Sequence, residues 1–274
     1  MTPEEKWENA TIANNFIFYK VMRSHPEVCK ELLEILLEFE IEKLEFTQQE
    51  EIDIDFGSKG IRMDVLAKNS TQLFNIEMQT LNTKELPERA RYYQGVVDVD
   101  ALKSGQKYKS LKTSYIIFIC IDDIFEKGLP LYRFENLCLE NKDLKMNDRA
   151  YKYFFIAGNC DKLLNEKQKA FLNLVIKNES SNDFSKKIEK LVSEAKHNTA
   201  WRKKYMDLER EKAYAFDDGF NDGALDRAIK DATNFLKMKV CTPEQIAQAV
   251  SLPLEKVLEI SKELEQNYAD SNKS

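Results

Sequence analysis

Asp64, Glu77 and Gln79 form the pattern D-(x12)-E-x-Q within IRMDVLAKNSTQLFNIEMQ, residues 61–79. Met63 and Val65 flank the first acid; Ile76 and Met78 flank the second. Successive side chains on a strand point to opposite faces. The stretch therefore predicts two strands joined by a polar turn, with Glu77 and Gln79 on one face and Asp64 able to converge on them if the strands pair. Two carboxylates that converge repel unless a cation sits between them. Hard oxygen donors suit Mg²⁺, which keeps several waters and takes one or two carboxylates plus substrate phosphate. An ion held there can polarise a phosphodiester and lower the pKa of an attacking water, and Gln79 could orient that water. The same alternation also describes the solvated face of an antiparallel sheet. Spacing alone leaves both readings open.

Other groups have the right chemistry for the same neighbourhood. Glu51, Asp53 and Asp55 share a face of EIDIDF and are either further ligands or a wet surface. Glu31 or Glu34 could add a carboxylate from a helix, or face water. Arg89 and Arg91, in ERARYY, match phosphate geometry and could grip a backbone. Tyr92, Tyr93 and Gln94 follow them and either line a cleft or pack inward. Asp98 and Asp100 are ambiguous in the same way. Lys103, Lys107, Lys109 and Lys112 make a basic patch in LKSGQKYKSLK, which either binds a phosphate backbone without reading sequence or is a solvated loop.

The elements that must position these residues can be read from the chain. HPEVCKELLEILLEFE carries Val28, Leu32, Leu33, Ile35, Leu36 and Phe39 at helical spacing, with Pro26 near the helix start. LEFTQQEEIDIDF alternates as a strand. TKELPERARYYQGVVDVDALKSG reads as a helix, and SYIIFICIDD as a central, buried strand. LYRFENLCLE and YKYFFIAG read as two later strands. The result is an α/β domain over residues 1–160, with a charged helical connector over 161–216 and a small helical module over 217–274. A break near Asn198 and an interruption at DDGFNDG are expected in the helical region. In CTPEQ, Thr242 is the expected N-cap, with Pro243 at the first helical position.

Composition narrows the class. The 274 residues, 43% hydrophobic and 11% aromatic, support a sizeable core. The net charge of −6 gives no global attraction for nucleic acid, although a local basic groove is compatible with it. No run is apolar enough to span a membrane, and MTPEEKWENATIANN does not resemble a signal peptide. The five cysteines are scattered, without a CxxC or Cys/His cluster, which predicts reduced thiols, a cytoplasmic chain and no zinc site. Cys120 and Cys138 are expected in the core.

Several blocks in order resemble the recombination-promoting nuclease / transposase family, a branch of the PD-(D/E)XK superfamily. They are RMDVLAKNSTQLFNIEMQT, then LPERARYYQGVVDVDALKSGQKYKSLKTSYIIFICIDDIF, then YRFENLCLE. The resemblance covers roughly residues 10 to 160, and the tail from Gly219 resembles the helical C-terminal region of many members. It implies a restriction-endonuclease-like core with a mixed central sheet flanked by helices. It also implies a metal-dependent DNA endonuclease using Mg²⁺, Mn²⁺ or Ca²⁺, linked to recombination, mobile elements or phage defence. Asp64 matches the metal-binding acid of that motif and Glu77 the second acid. Gln79 falls where the superfamily usually has Lys, and this branch commonly carries Gln; a neutral amide cannot supply that charge. Asn15 stands where relatives often have Asp. The alternative is a catalytically weak DNA- or partner-binding protein on the same fold. The two short helices of PEQIAQAVSLPLEKVLEI are similar to a helix-turn-helix, but the second presents Glu255 and Glu259 beside Lys256. Bases are normally read by basic or amide side chains, so homodimerisation or regulation is the favoured role.

Overall fold

In the computed structural model, which describes residues 1–46, 51–52, 61–62 and 64–271, the alternating and apolar runs become a mixed sheet. Its strands are β1 (Glu45–Phe46), β4 (Val65–Lys68), β5 (Gln72–Gln79), β6 (Thr113–Cys120), β7 (Leu131–Phe134) and β8 (Ala150–Ile156), in the order β1-β4-β5-β6-β8-β7. A separate antiparallel pair joins β2 (Glu51–Ile52) to β3 (Ile61–Arg62). Strand β6 runs parallel to both β5 and β8, and the remaining pairings are antiparallel. A parallel strand covered on both faces has no wet side, which is why β6 reads as an unbroken apolar run. Ile116, Ile117, Phe118 and Ile119 are all fully buried.

One face of the sheet is covered by α4 (Leu86–Ala101). Its Leu86, Ala90, Tyr93, Val96 and Val97 pack on Ile116, Phe118 and Phe154. A helical layer formed by α2 (Asn15–Ser24), α3 (Pro26–Leu37), α5 (Glu166–Lys177) and α6 (Asp183–His197) packs together, and α2 approaches β4 and β5. Val28, Leu32, Leu33, Ile35 and Leu36 are buried as their spacing predicts, and Pro26 occupies the first turn of α3; the helix ends at Leu37 with Glu38 left-handed, so Phe39 of the expected stripe lies beyond it, half-buried. Gln168 of α5 donates to the carbonyls of Ile35 and Leu36 at 3.1 and 3.0 Å, which satisfies the end of that helix.

Asn14 caps α2 by accepting the N–H groups of Phe16 and Ile17 at 3.0 and 3.2 Å. Replacing Asn14 with alanine should destabilise the protein by about 1 kcal/mol. Urea unfolding would show the midpoint moving at constant slope. No shift would mean that tertiary packing alone fixes the start of α2.

The chain divides into two compact units, Met1–Tyr205 and Met206–Ser274. In the second, Ala232, Ile246, Ala247, Leu252, Val257 and Ile260 form a small core built by the end of α7 (Thr199–Met238), α8 (Pro243–Val250) and α9 (Leu254–Ser271). Thr242 caps α8 through a capping box with Gln245.

Three expectations are corrected. Helix α7 runs through DDGFNDG without interruption. A helical glycine costs about 1 kcal/mol relative to alanine but keeps its hydrogen-bond ladder, and a 40-residue helix absorbs Gly219 and Gly223. Strand β7 ends at Phe134 rather than continuing through LCLE. The following segment closes on itself instead, with Cys138 N–H donating to Leu144 O and Met146 N–H to Asn136 O. Cys138 is consequently half-buried in a loop, while Cys120 lies in the core. The break at Asn198 falls as expected, between α6 and α7.

Candidate active site

The antiparallel register pairs Val65 with Ile76 and so sets Asp64 opposite Glu77 at the next position. The two acids are interlocked through the backbone. Asp64 N–H donates to Glu77 Oε1 at 3.1 Å, and Met78 N–H donates to Asp64 Oδ2 at 2.9 Å. Glu77 is only 1% exposed and Gln79 8%, whereas Asp64 is half-exposed. The burial of Glu77 and Gln79 removes the solvated-face reading of β5.

Asn75, Glu77 and Gln79 share the face of β5 that looks toward α4. From that helix Arg89 reaches all the relevant polar groups. It donates to Glu77 Oε2 at 3.0 Å, to Gln79 Oε1 at 3.0 Å and to the Tyr93 hydroxyl at 2.8 Å. Arg89 and Tyr93 are four residues apart and therefore neighbours on the helix surface. The Gln79 amide donates to the carbonyl of Leu81. Asn15, at the start of α2, donates to Met78 O at 3.0 Å and to Asp64 Oδ2 at 3.4 Å. It thus holds Asp64 where an aspartate would repel it.

Burial first, and the Asp64 carboxylate second, push the Glu77 carboxyl up to about 8; Arg89 and the Asp64 N–H oppose the rise. Burial and then Glu77 push the Tyr93 hydroxyl up to about 12. Burial works against the charge on Arg89, yet Glu77 and Tyr93 hold it above its usual value. The cluster therefore joins two carboxyl groups to the half-buried Arg89 cation, and gains its second negative charge only when Glu77 ionises. Its donors are hard carboxylate oxygens, the set that suits Mg²⁺ or a similar ion. Among the described residues no group of three or more His, Cys, Asp or Glu side chains converges. Asp64 and Glu77 alone could hold such an ion, with its other positions left to water and phosphate, as Mg²⁺ accommodates.

The remaining candidates lie elsewhere. Tyr93 is in the cluster through Arg89, but its ring also stacks at 6.3 Å on Phe118 in the core. Arg91 is exposed, outside that network. Lys107 and Lys109 are exposed around a 3-10 turn that precedes β6. That turn adjoins Gln72, which pairs with Thr113, so the patch lies roughly 20 Å from Gln79 along the strand. Glu31 meets Lys187 at 3.3 Å. Glu34 accepts from Lys30 and from Ile41 N–H, and those bonds hold its carboxyl below the usual range. Asp98 bonds Gln94, and Asp100 is exposed. Asp53 and Asp55 lie outside the described residues. Asn75, fully buried beside Glu77, was missed from the sequence, although the two-residue alternation of β5 carries it.

A mixed sheet flanked by helices, with one acid on β5 and the other immediately before the adjacent β4, and a helical C-terminal region, fits a PD-(D/E)XK-type α/β protein. The model of the PD-(D/E)XK nuclease family transposases matches residues 16–218, and the chain belongs to that family. No curated protein and no solved structure gives a significant match. Membership associates the chain with nuclease or mobile-element roles. Among the described residues no helix is long and apolar enough to cross a membrane.

Proposed function

We propose that this protein is a metal-dependent DNA endonuclease, with Asp64 and Glu77 holding a divalent cation, Mg²⁺ or Mn²⁺. The observation that carries the reading is the buried Glu77 carboxylate interlocked with Asp64, an arrangement unfavourable as a purely structural feature and suited to a cation. When bound, such an ion would polarise a phosphodiester and lower the pKa of an attacking water. Gln79, fixed by Arg89 and the Leu81 carbonyl, orients the nucleophile through its amide. Arg89 brings to the cluster the positive charge that glutamine lacks, and its planar fork is matched to carboxylate and phosphate oxygens.

The direct test incubates purified protein with supercoiled plasmid in Mg²⁺, in Mn²⁺ and in chelator. Nicking that requires a metal supports the reading. DNA binding without cleavage in either metal would favour the alternative, a binding protein on a nuclease fold, for which neutral Gln79 and Asn15 are the motivating residues.

Arg89→Lys separates charge from geometry. Lysine keeps the charge but not the fork that reaches Glu77, Gln79 and Tyr93 together. Cleavage should fall about tenfold, the cost of roughly one lost charge-assisted hydrogen bond. Unchanged plasmid nicking rates would show that charge alone suffices.

A further inference from the structure

A second concavity lies on the same sheet face. It is a cavity of about 560 Å³ between α4, β7 and β8. Three phenylalanines build its apolar wall. Phe125 lies 5.2 Å from Phe134 and 5.1 Å from Phe154, and Phe134 meets Phe154 edge-on at 5.7 Å. Phe154 is buried, but Phe134 is 43% exposed and presents ring surface to the opening. Opposite stand Gln94 and Asp98 of α4. Gln94 is 8% exposed. Its amide nitrogen donates to Ser114 Oγ at 2.6 Å and to Asp98 Oδ2 at 3.1 Å. Its Oε1 has no hydrogen-bond partner among the described residues. A buried acceptor left unmatched is costly, and a ligand donor is one way to satisfy it.

The other groups limit what fits. Glu135 and Asp148 of the lining are already engaged, with Lys145 at 2.6 Å and with Asn136 at 2.6 Å. Lys152 and the exposed Arg91 also line the cavity and oppose a cationic ligand. A flat, neutral ring with an amino edge matches both the aromatic wall and the waiting acceptors. The cavity is two strands from Glu77, roughly 10 Å at the usual strand spacing, and helix α4 supplies residues to both places.

We propose that this cavity receives an unpaired nucleobase of the DNA strand held at Asp64 and Glu77. The base stacks on Phe134 and directs an exocyclic amino group at Gln94 Oε1 and Asp98. Cytosine, adenine and guanine carry such a group and thymine does not. Arg91 sits at the rim for the adjoining phosphate. This assignment rests on the nuclease reading for its substrate, but not for its test.

The test uses a single-stranded oligonucleotide carrying one 2-aminopurine, titrated with full-length protein in chelator, where cleavage cannot intervene. The emission of the base should change saturably. Phe134→Ala should weaken that binding roughly fivefold or more, the range of a lost base–aromatic stack. Gln94→Met should also weaken it, and an unlabelled thymine strand should compete less well than a cytosine strand. Phe134 is partly exposed, so its variant stays informative should Gln94→Met fail to fold. Unchanged emission with wild-type protein, or full binding by Phe134→Ala, overturns the assignment. Metal-dependent plasmid nicking without an emission change overturns the pocket and leaves the nuclease. An emission change without nicking in any metal supports the pocket and overturns the nuclease.

Discussion

An Asp64→Asn protein is expected to lose metal-dependent DNA cleavage by about a thousandfold or more, while keeping its fold. The loss follows from removing one of two carboxylates available to a divalent cation, whose electrostatic contribution to phosphodiester hydrolysis is several kcal/mol, at about 1.36 kcal/mol per factor of ten. Asparagine is the informative replacement. Its side-chain oxygen can still accept the Met78 N–H that Asp64 accepts at 2.9 Å. Alanine would leave that group without its partner. The change also removes the charge that helps keep Glu77 protonated, so a proton on Glu77 cannot explain the loss. The measurement is the initial nicking rate of supercoiled plasmid in Mg²⁺ and Mn²⁺, beside circular-dichroism melts of both proteins. A variant that cleaves like the wild type would place the chemistry away from this cluster.

Without metal, the protein should lose a few kcal/mol of stability as pH rises from about 5 to beyond 8, relative to Glu77→Gln. In the folded chain burial, and then Asp64, push the Glu77 carboxyl up to about 8, against 4.5 for an ordinary glutamate. Between those values the folded state holds a proton that the unfolded state has released. Stability falls with pH wherever the folded state binds more protons. The contribution is therefore fully present below about 4.5 and is lost as pH passes through about 8. Its size follows from about 1.36 kcal/mol for every pH unit that separates the folded from the unfolded titration. Glutamine cannot ionise, so the difference between the two proteins isolates Glu77 from Asp98, whose carboxyl burial also raises. Thermal melts in chelator across that pH range read the effect. Mg²⁺ added at pH 8 should recover part of the lost stability in the wild type alone, because a ligand that binds only the folded state stabilises it. Parallel pH profiles for the two proteins would show that Glu77 is ionised throughout.

The proposed site also departs from the usual motif. Where the superfamily has lysine, this chain has Gln79, and the charge arrives from α4 as Arg89, ten residues further along. Arg89 bonds Glu77 and Gln79 together, and in the proposed site it supplies the charge that glutamine lacks. Arg89→Lys and Asp64→Asn probe different parts of that unit, and their effects should not add, since both act through Glu77.

Much of this protein was written locally in its sequence. The alternation around Asp64, Glu77 and Gln79 fixed which residues share a strand face, because the side-chain period of a strand is two. The unbroken apolar run of β6 specified a strand covered on both sides. Pro26 and Thr242 marked helix starts through constraints that act within one turn. The capping box of Thr2 and Glu5, which begins α1 (Pro3–Glu8), is equally local. Other features depend on distant segments meeting. Asn15 contacts Asp64 across 49 residues, and nothing in the local pattern around either residue encodes that contact. Arg89 and Arg91 are indistinguishable as neighbouring basic residues, yet the rotation of two positions around a helix half-buries one against Glu77 and leaves the other at the surface. The burial of Glu77, and with it the rise of its carboxyl to about 8, arises only when α4 closes over the sheet, because desolvation belongs to the packed assembly rather than to any one residue.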